Sequence, residues 1–277
     1  MTRALVLGGG GVTGVAWEWG VLTGLAERGV QLADADLVVG TSAGSVVGAQ
    51  LRSGRSVEDS YAAQVAPPQG EVAARFGFAA VARLVWAGGR TRDAARSRAR
   101  IGAMALAART PSEASRRAVI ESRLPAREWP ARRLLVTAVD ATSGEFVVFD
   151  AGSGVSLVDA VGASCAVPGV WPPVSIGDRR YVDGGMRSPV NADLAAGAQR
   201  VVVLAPTAAA FGPMPRLSAQ VATLQAAGAQ VAVVAPDAAA RSAIGRNMLD
   251  PARRAAAARS GRAQAASVLD EVSAVWG

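Results

Sequence analysis

Residues 36–54 read DLVVGTSAGSVVGAQLRSG, and the order of apolar and small residues in this stretch decides the fold. The apolar run Asp36–Val39 predicts a buried strand, and Ser45–Arg52 has the spacing of a helix that Gly54 ends. The small residues between them leave room only for a tight turn. A strand, a sharp turn and a helix form the basic unit of an α/β protein.

The turn carries Gly40-x-Ser42-x-Gly44, the pattern of a nucleophile elbow. In such an elbow, small flanking residues let a serine stand on a strained turn with its hydroxyl above the sheet. The chain has 31 glycines, so the pattern alone is weak. A strand before it and a helix after it are nevertheless the context that the motif requires. Ser42 is therefore the predicted nucleophile, and a plain connecting turn is the alternative.

A second glycine-rich turn lies nearer the N-terminus. Ala4–Leu7 predicts a strand, and Thr13–Arg28 predicts a helix that Gly29 ends. Gly8–Gly14 lies between them and contains four successive glycines. The chain therefore repeats the strand, turn and helix order, and the two turns are expected at the same edge of the sheet.

The glycine-rich turn has two functional interpretations. As Gly9-x-Gly11-x-x-Gly14 it matches a dinucleotide fingerprint, in which helix-terminal amides hold a pyrophosphate. That fingerprint needs an acidic residue about 20 positions further on, where the second strand ends. Asp34 and Asp36 have about the right spacing, but they stand where the second strand begins, at the wrong edge of the sheet.

In the second interpretation the same turn is an oxyanion hole. The backbone N–H groups of Gly9, Gly10, Gly11 and Val12 then face the carbonyl held over Ser42. Glycine is needed because the chain must come within hydrogen-bond distance of the substrate and take conformations closed to other residues. Close packing of a helix on a strand would not explain four glycines in a row.

A nucleophilic serine needs a base, and the chain contains neither histidine nor lysine. The candidates are therefore carboxylates. Asp183 stands out because it ends the predicted strand Arg179–Val182 and precedes Gly184-Gly185, a turn that would leave the carboxylate exposed. A hairpin turn is the alternative explanation of an Asp-Gly-Gly sequence. The remaining carboxylate candidates, which have poorer context, are Asp140, Asp150 and Asp159.

The composition is that of a globular protein with an ample core, because hydrophobic residues make up 51% and charged residues 18% of 277 residues. The net charge is +7, and all 29 basic residues are arginine, mainly within residues 52–133 and 241–262. No compact basic stretch interleaved with aromatic residues suggests nucleic-acid binding. Solvated arginine surfaces are the first interpretation, and attraction to an anionic lipid surface is the second.

No cofactor or metal is expected. The single cysteine, Cys165, permits no internal disulfide, and the absence of histidine removes the usual ligand of zinc, copper and nickel. Met1–Gly20 superficially resembles a signal peptide, but successive glycines interrupt its apolar run. We therefore expect a cytoplasmic protein without a membrane span, with peripheral membrane contact left open. The oligomeric state also stays open.

The remaining chain completes an α/β pattern. Residues 55–130 are rich in arginine and alanine and contain a predicted helix, Val72–Trp86, which suggests a helical insertion or cap. The expected fold class is α/β, with one three-layer α/β/α domain at residues 1–277 and a mostly parallel central sheet. Further strands are predicted at Leu134–Val139, Phe146–Phe149, Arg179–Val182, Arg200–Ala205 and Gln230–Ala235, with helices near residues 157–164 and 217–227 and from Asp250 onward.

Taken in order, the three motifs resemble those of the patatin-like phospholipase family. The resemblance extends to ASCAVPGVWPP, residues 163–173, which is similar to the family's A-S-x-A-x-P-x-x-x-P-P segment. It covers residues 4–54 and 134–206. The motif residues that carry it are Gly9, Gly11, Gly14, Gly40, Ser42, Gly44, Asp183, Gly184 and Gly185.

The resemblance implies an acyl hydrolase in which Ser42 and Asp183 form a catalytic dyad and the glycine turn is the oxyanion hole. This agrees with the missing histidine. One departure concerns Thr13, which stands where the family usually has Arg or Lys before the last glycine of its first motif. Any electrostatic help from that side chain is therefore in doubt, whereas the backbone donors do not depend on it.

The expected function is hydrolysis of lipid esters, with a phospholipid, a lysophospholipid or a short carboxyl ester as substrate. A non-catalytic nucleotide- or lipid-binding module using the Gly9–Gly14 turn is the alternative. Core packing is the first interpretation of Trp17 and Trp19, and a lipid-facing role is the second. Asn191 is expected either to orient the Asp183 turn or to cap the next helix.

Overall fold

The computed structural model describes residues 1–67 and 91–277, together with residues 74, 82, 88 and 89. The predicted helix Val72–Trp86 lies outside the described residues, apart from two isolated positions. Of the helices in the described part of the chain, none combines the length and apolar character needed to cross a membrane.

An eight-stranded sheet forms the centre of the protein. Its main order is β5-β6-β3-β2-β1-β7-β8, and β4 pairs with β3 off this path. The strands β3, β2, β1, β7 and β8 run parallel, whereas β4 and β6 are antiparallel to β3, and β5 is antiparallel to β6. The strands are β1 Arg3–Leu7, β2 Leu37–Gly40, β3 Arg133–Asp140, β4 Phe146–Phe149, β5 Val174–Ile176, β6 Arg179–Asp183, β7 Arg200–Leu204 and β8 Gln230–Val234.

Helices cover both faces of this sheet, numbered here in chain order among the described residues. Short 3-10 turns lie at 32–34, 184–186, 192–195 and 251–253. The α-helices are α1 Gly11–Ala26, α2 Ala43–Arg52, α3 Val57–Val65, α4 Ala94–Leu106, α5 Glu113–Arg123, α6 Leu157–Ser164, α7 Leu217–Ala226, α8 Ala238–Ile244 and α9 Arg254–Trp276.

The central strands are apolar because both of their faces are buried, as in other parallel sheets. Leu5 and Val38 point to the face covered by α1, α2, α6 and α9. Val6 and Val39 point to the opposite face, where α7 and the turn at 192–195 pack. The helix α4 covers that second face over β3 and β6. The alternation of side chains thus produces the three-layer α/β/α arrangement that the sequence predicts.

Helix α1 lies unusually close to α9. A Cβ on Gly20 would be 2.1 Å from the Ala258 carbonyl oxygen, and a Cβ on Gly261 would be 2.4 Å from the Trp17 carbonyl oxygen. The two backbones can approach this closely only because both helices carry glycine at the crossing. This contact fixes α1, and with it the glycine-rich turn at its N-terminus.

The predicted strands are all present, with ends that differ by one residue at most, and β5 is an additional strand. Within residues 55–130 the described helices pack on different elements: α3 on α1 and α9, α4 on β3 and β6, and α5 on α6. The assignment of the whole chain to a single domain stays a prediction.

Candidate active site

Ser42 stands on a strained turn between β2 and α2. Its φ is 51° and its ψ is −114°, a conformation that L residues rarely adopt. The backbone around it is well bonded, because its N–H donates to Ser164 Oγ at 2.8 Å. Its carbonyl oxygen accepts from Ser45 Oγ at 2.6 Å and from Cys165 Sγ at 3.3 Å. The strain is therefore held by contacts on both sides of the residue.

The two glycines of the elbow are required by packing. A Cβ on Gly44 would lie 2.1 Å from the Leu7 carbonyl oxygen, and a Cβ on Gly40 would lie 2.6 Å from Ser45 Cα. Both distances are far shorter than a Cβ can tolerate. The helix α2 can thus start directly against the end of β1, with Ser42 above the sheet.

The register of the sheet places Asp183 level with Ser42. Gly40 of β2 pairs with Val136 of β3, so Ser42 lies two positions beyond this pair, at the level of Ala138. Ala138 in turn pairs with Asp183, the last residue of the antiparallel β6. The strand order therefore brings residues 42 and 183 to the same edge of the sheet.

The Asp183 carboxylate is buried, with a relative exposure of 3%. Its Oδ1 accepts from the Gly185 N–H at 2.7 Å. Burial raises the pKa of Asp183 to about 6, although hydrogen bonds from the Ser42 side chain and Gly185 and the charge of Arg116 act in the opposite direction. The expectation of an exposed carboxylate was wrong, because the carboxylate lies inside the fold, where Gly185 N–H and the Ser42 side chain donate to it.

The other three carboxylate candidates serve local structure. Asp140 accepts from the backbone of the following turn, at Thr142 and Ser143. Asp150 accepts from the Gly152 N–H in the same way. Asp159 pairs with an arginine of α5 and with the Ser156 hydroxyl. Of the four candidates, Asp183 is the one in contact with Ser42.

The glycine-rich turn runs beside Ser42. A Cβ on Gly9 would lie 3.6 Å from Ser42 Cβ. The Gly9 N–H is not free, because it donates to the Pro189 carbonyl at 2.7 Å. Among the described residues, the N–H groups of Gly10, Gly11 and Val12 have no hydrogen-bond acceptor. Three of the four expected oxyanion donors are thus available, and Gly9 is not.

The acidic residues near the second strand do not complete a dinucleotide site. Asp36 Oδ2 accepts from the Arg3 N–H at 2.7 Å, where β1 and β2 begin. The glycine-rich turn follows the opposite ends of these strands. The carboxylate therefore lies across the sheet from the place where a ribose would bind.

Asn191 connects the two halves of the candidate site. It is fully buried and left-handed, with φ of 54°. Its Nδ2 donates to Thr41 Oγ1 at 3.0 Å and, more weakly, to the Gly184 carbonyl at 3.4 Å. It also donates to the Ser188 carbonyl at 2.8 Å, and its side chain does not cap the following turn. Of the two expected roles, the structure therefore supports orientation of the Asp183 turn and not capping of the next helix.

Trp17 and Trp19 belong to the core. Both are fully buried, and their indole N–H groups donate to Gln264 Oε1 at 3.0 Å and Gln50 Oε1 at 2.8 Å, respectively. Core packing, the first interpretation of these residues, agrees with the structure, and neither side chain faces lipid.

A cleft of about 570 Å³ opens beside Ser42, and sequence reasoning did not identify its basic residues. Arg116 and Arg123 line both this cleft and a small hollow over Ser42. They are seven positions apart in α5, so they lie on one face of the helix. The signal available in the sequence was the position of Arg116. It lies four residues before Ile120, and therefore on the same buried face of the helix that Ser112 caps.

The chain is similar to known proteins in sequence and in structure. A sequence model of the patatin-like phospholipase family matches residues 5–196. No curated protein sequence matches the chain. VipD from Legionella pneumophila is 14% identical with a TM-score of 0.48, and the match covers 97% of this chain and 67% of VipD. The type III effector protein ExoU is 17% identical with a TM-score of 0.43, over 98% of this chain and 53% of ExoU.

Proposed function

Because the chain belongs to the patatin-like phospholipase family, we propose that it hydrolyses acyl esters of lipids, with Ser42 as nucleophile and Asp183 as its base. The observation that carries this proposal is the contact between a strained serine, 8% exposed at the small hollow that it lines, and a buried carboxylate whose pKa is raised to about 6. A carboxylate with an ordinary pKa near 4 would be a feeble base for an alcohol. Burial makes this carboxylate a better one.

The proposed reaction has two steps. In the first step, Asp183 accepts the Ser42 proton as the hydroxyl oxygen attacks the ester carbonyl, and it then passes that proton to the leaving alcohol. In the second step, the same carboxylate accepts a proton from water, which attacks the acyl-enzyme and releases the fatty acid. Ser42 recovers its proton at the end. No cofactor or metal takes part in this proposal.

The N–H groups of Gly10, Gly11 and Val12 are the proposed donors to the negative charge that develops on the carbonyl oxygen. They belong to the turn and first helical residues of α1, where the helix dipole adds a partial positive charge. Loss of one such donor typically raises the barrier by about 3 kcal/mol. In this proposal Gly9 has a different role, since its N–H anchors the turn to Pro189.

Thr13 supports the same turn without adding charge. Its Oγ1 and its N–H both approach the Met248 carbonyl oxygen, at 3.3 Å and 3.1 Å. A threonine can thus fix the first turn of α1 in a chain that lacks the family's usual basic residue at this position. The backbone donors of the proposed oxyanion hole stay in place.

The proposal is tested with purified protein and p-nitrophenyl esters of graded acyl length, alongside a lysophospholipid. We expect ester hydrolysis by the wild type, covalent labelling by a fluorophosphonate, and loss of both in Ser42→Ala. Ser267→Ala is a matched control, because this serine lies in α9, away from the elbow, and its hydroxyl bonds to the Gln264 carbonyl of the same helix. Ester hydrolysis retained in Ser42→Ala would reject the proposal.

A further inference from the structure

Arg116 is a buried cation that forms no ion pair at contact distance within the described residues, although the charge of Asp183 acts on it. Its relative exposure is 7%, and among the described residues its guanidinium forms no ion pair and no hydrogen bond. The neighbouring Arg117 shows the difference, since it pairs with Asp159 and Glu121. Burying an unpaired charge is costly, so a position that keeps one has a functional reason or a missing partner.

The protein compensates for this burial only in part. The Arg116 guanidinium stacks on the Trp171 ring, 4.0 Å from its centroid, which is a cation–π contact. Burial lowers the pKa of Arg116 to about 10, so the side chain still carries its charge at neutral pH. The ring contact supplies no hydrogen-bond acceptor, and the donors of the guanidinium stay available to a ligand.

A second arginine lies nearby. Arg123 is partly buried on the same face of α5, and its charge acts on Arg116. In the described part of the chain its guanidinium also has no ion pair or hydrogen bond. Two like charges at one place repel each other, so an anion bound between them would be strongly stabilised.

Neither the cleft nor the small hollow over Ser42 has an acidic residue in its described lining. Glu113 and Asp159 line a separate hollow that Arg116 also borders. The described lining of the cleft includes two further arginines, Arg55 and Arg254, and lacks Asp and Glu altogether. The small hollow over Ser42 shares Arg116, Arg123 and Trp171 with the cleft. The cations therefore lie between the nucleophile and the wider space. Apolar walls come from Val12, Val15, Val46 and Val119.

We propose that Arg116 and Arg123 form a subsite that binds a phosphate group of the ester substrate beside Ser42. The inference rests on the proposed function for its substrate, but the binding of phosphate does not require chemistry. One guanidinium can hydrogen-bond to both oxygens of a carboxylate. A phosphate has further oxygens, which can accept hydrogen bonds from a second arginine. Both a lipid headgroup and free phosphate carry this group.

The first experiment compares two substrates with the same acyl chain, lysophosphatidylglycerol and monoacylglycerol. The measured quantity is the ratio of their kcat/KM values at about pH 8, where Asp183 stays ionised. We expect Arg116→Met and Arg123→Met to lower this ratio about tenfold to a hundredfold, the usual effect of losing charge-assisted hydrogen bonds. Arg116→Lys keeps the charge and is expected to restore part of the ratio.

The control is Arg100→Met, which removes the same charge from an exposed position of α4. It is expected to keep the wild-type ratio. Thermal unfolding shows which variants fold, and Arg123→Met carries the test if Arg116→Met does not. An unchanged ratio in folded Arg116→Met and Arg123→Met, or an equal fall in Arg100→Met, would overturn the subsite.

The second experiment separates the two sources of phosphate and does not depend on activity. Inorganic phosphate is titrated into Ser42→Ala and into Ser42→Ala/Arg116→Met, with binding followed by NMR. Binding by the first protein and its loss in the second would assign the subsite to phosphate itself. No binding, together with a lowered substrate ratio, would assign it to the lipid headgroup. No binding and no change in ratio would refute it, even if ester hydrolysis is confirmed.

Discussion

The Ser42 N–H donates to Ser164 Oγ at 2.8 Å across 122 positions of sequence. Both groups are buried, and Ser42 keeps a positive φ that only surrounding contacts can maintain. The hydroxyl of Ser164 therefore acts on the geometry of the turn and not on a substrate.

We expect Ser164→Ala to destabilise the protein by about 1–3 kcal/mol, since it leaves a buried N–H without an acceptor. Urea-induced unfolding measures the change. Ser267→Ala is the control, because the Ser267 hydroxyl bonds to Gln264 within its own helix α9. That variant should stay within about 0.5 kcal/mol of the wild type. Equal stability of the two variants would contradict a holding role for Ser164.

The pH dependence of ester hydrolysis follows from the burial of Asp183. A base must be ionised to accept a proton, so kcat/KM is expected to rise through about pH 6, the raised pKa of this carboxyl, and to level off above it. A pH series with a neutral p-nitrophenyl ester measures the midpoint. A midpoint near 4, the value of a solvated aspartate, would show that burial does not tune this group.

Asp183→Asn should have opposite effects on activity and on stability. Removing the proposed base is expected to lower kcat by about 10²–10⁴. The folded pKa of about 6 lies above the ordinary pKa of 3.8 of a free Asp. The folded protein therefore binds the proton more tightly, and its stability falls as pH rises from about 4 to 6. Above pH 6 the wild-type protein carries a buried charge at this position, whereas Asp183→Asn carries a neutral amide. We therefore expect a higher melting temperature for the variant than for the wild type.

Calorimetry at about pH 8 and an ester assay test both effects. Asp150→Asn is the control, because Asp150 accepts from Gly152 as Asp183 does from Gly185, two residues on in each case. Asp150 lies in a solvent-exposed turn, so its amide variant should keep wild-type activity. A melting temperature of Asp183→Asn at or below that of the wild type would argue against a costly buried charge.

The proposed oxyanion donors can be removed one at a time. Val12→Pro deletes the N–H of residue 12 within the first turn of α1, where proline is tolerated. We expect kcat to fall about 10²–10³-fold. Val12→Ala, which truncates the side chain and keeps the N–H, is the control and should lose far less. Similar losses in both variants would assign the effect to the cleft wall instead.

Asn191 tests whether the link between Thr41 and Gly184 matters. Asn191→Gly removes the side-chain hydrogen bonds and accepts the left-handed backbone, whereas Asn191→Ala adds backbone strain of about 1 kcal/mol. We expect each variant to be less stable by about 2–4 kcal/mol, with Ala the worse, and kcat to fall. Chemical unfolding and an ester assay measure the two. A glycine variant with full stability and activity would remove the linking role.

The sequence predicted the sheet and both glycine turns because their signals are local. An apolar run bounded by glycines marks β1 and β2, and helical spacing marks α1 and α2. The family model and the mixed, mostly parallel sheet confirm the predicted family and fold class. The strand β5 was missed because Val174–Ile176 is too short to show a periodicity.

Other features depend on partners that are distant in the sequence. The Gly9 N–H donates to the carbonyl of Pro189, which lies 180 positions away in the sequence. No pattern near Gly9 indicates this contact. The burial of Asp183 is of the same kind, because a strand-end aspartate is usually exposed. Arg116 was overlooked because it is one of 29 arginines, and nothing in the sequence distinguishes this buried one from those at the surface. Composition cannot distinguish a solvated arginine from an unpaired one.

The segment 163–173 contacts Ser42, the Asp183 backbone and the buried Arg116 through different residues. Ser164 holds Ser42, Ala166 holds the Asp183 backbone, and Trp171 stacks on Arg116. The helix α5, by contrast, supplies arginines to the cleft and no backbone contact to the dyad. A substitution in α5 therefore changes the charges around Ser42 and Asp183 and leaves the backbone of both residues in place, whereas a substitution in segment 163–173 changes the backbone support and the arginine environment together.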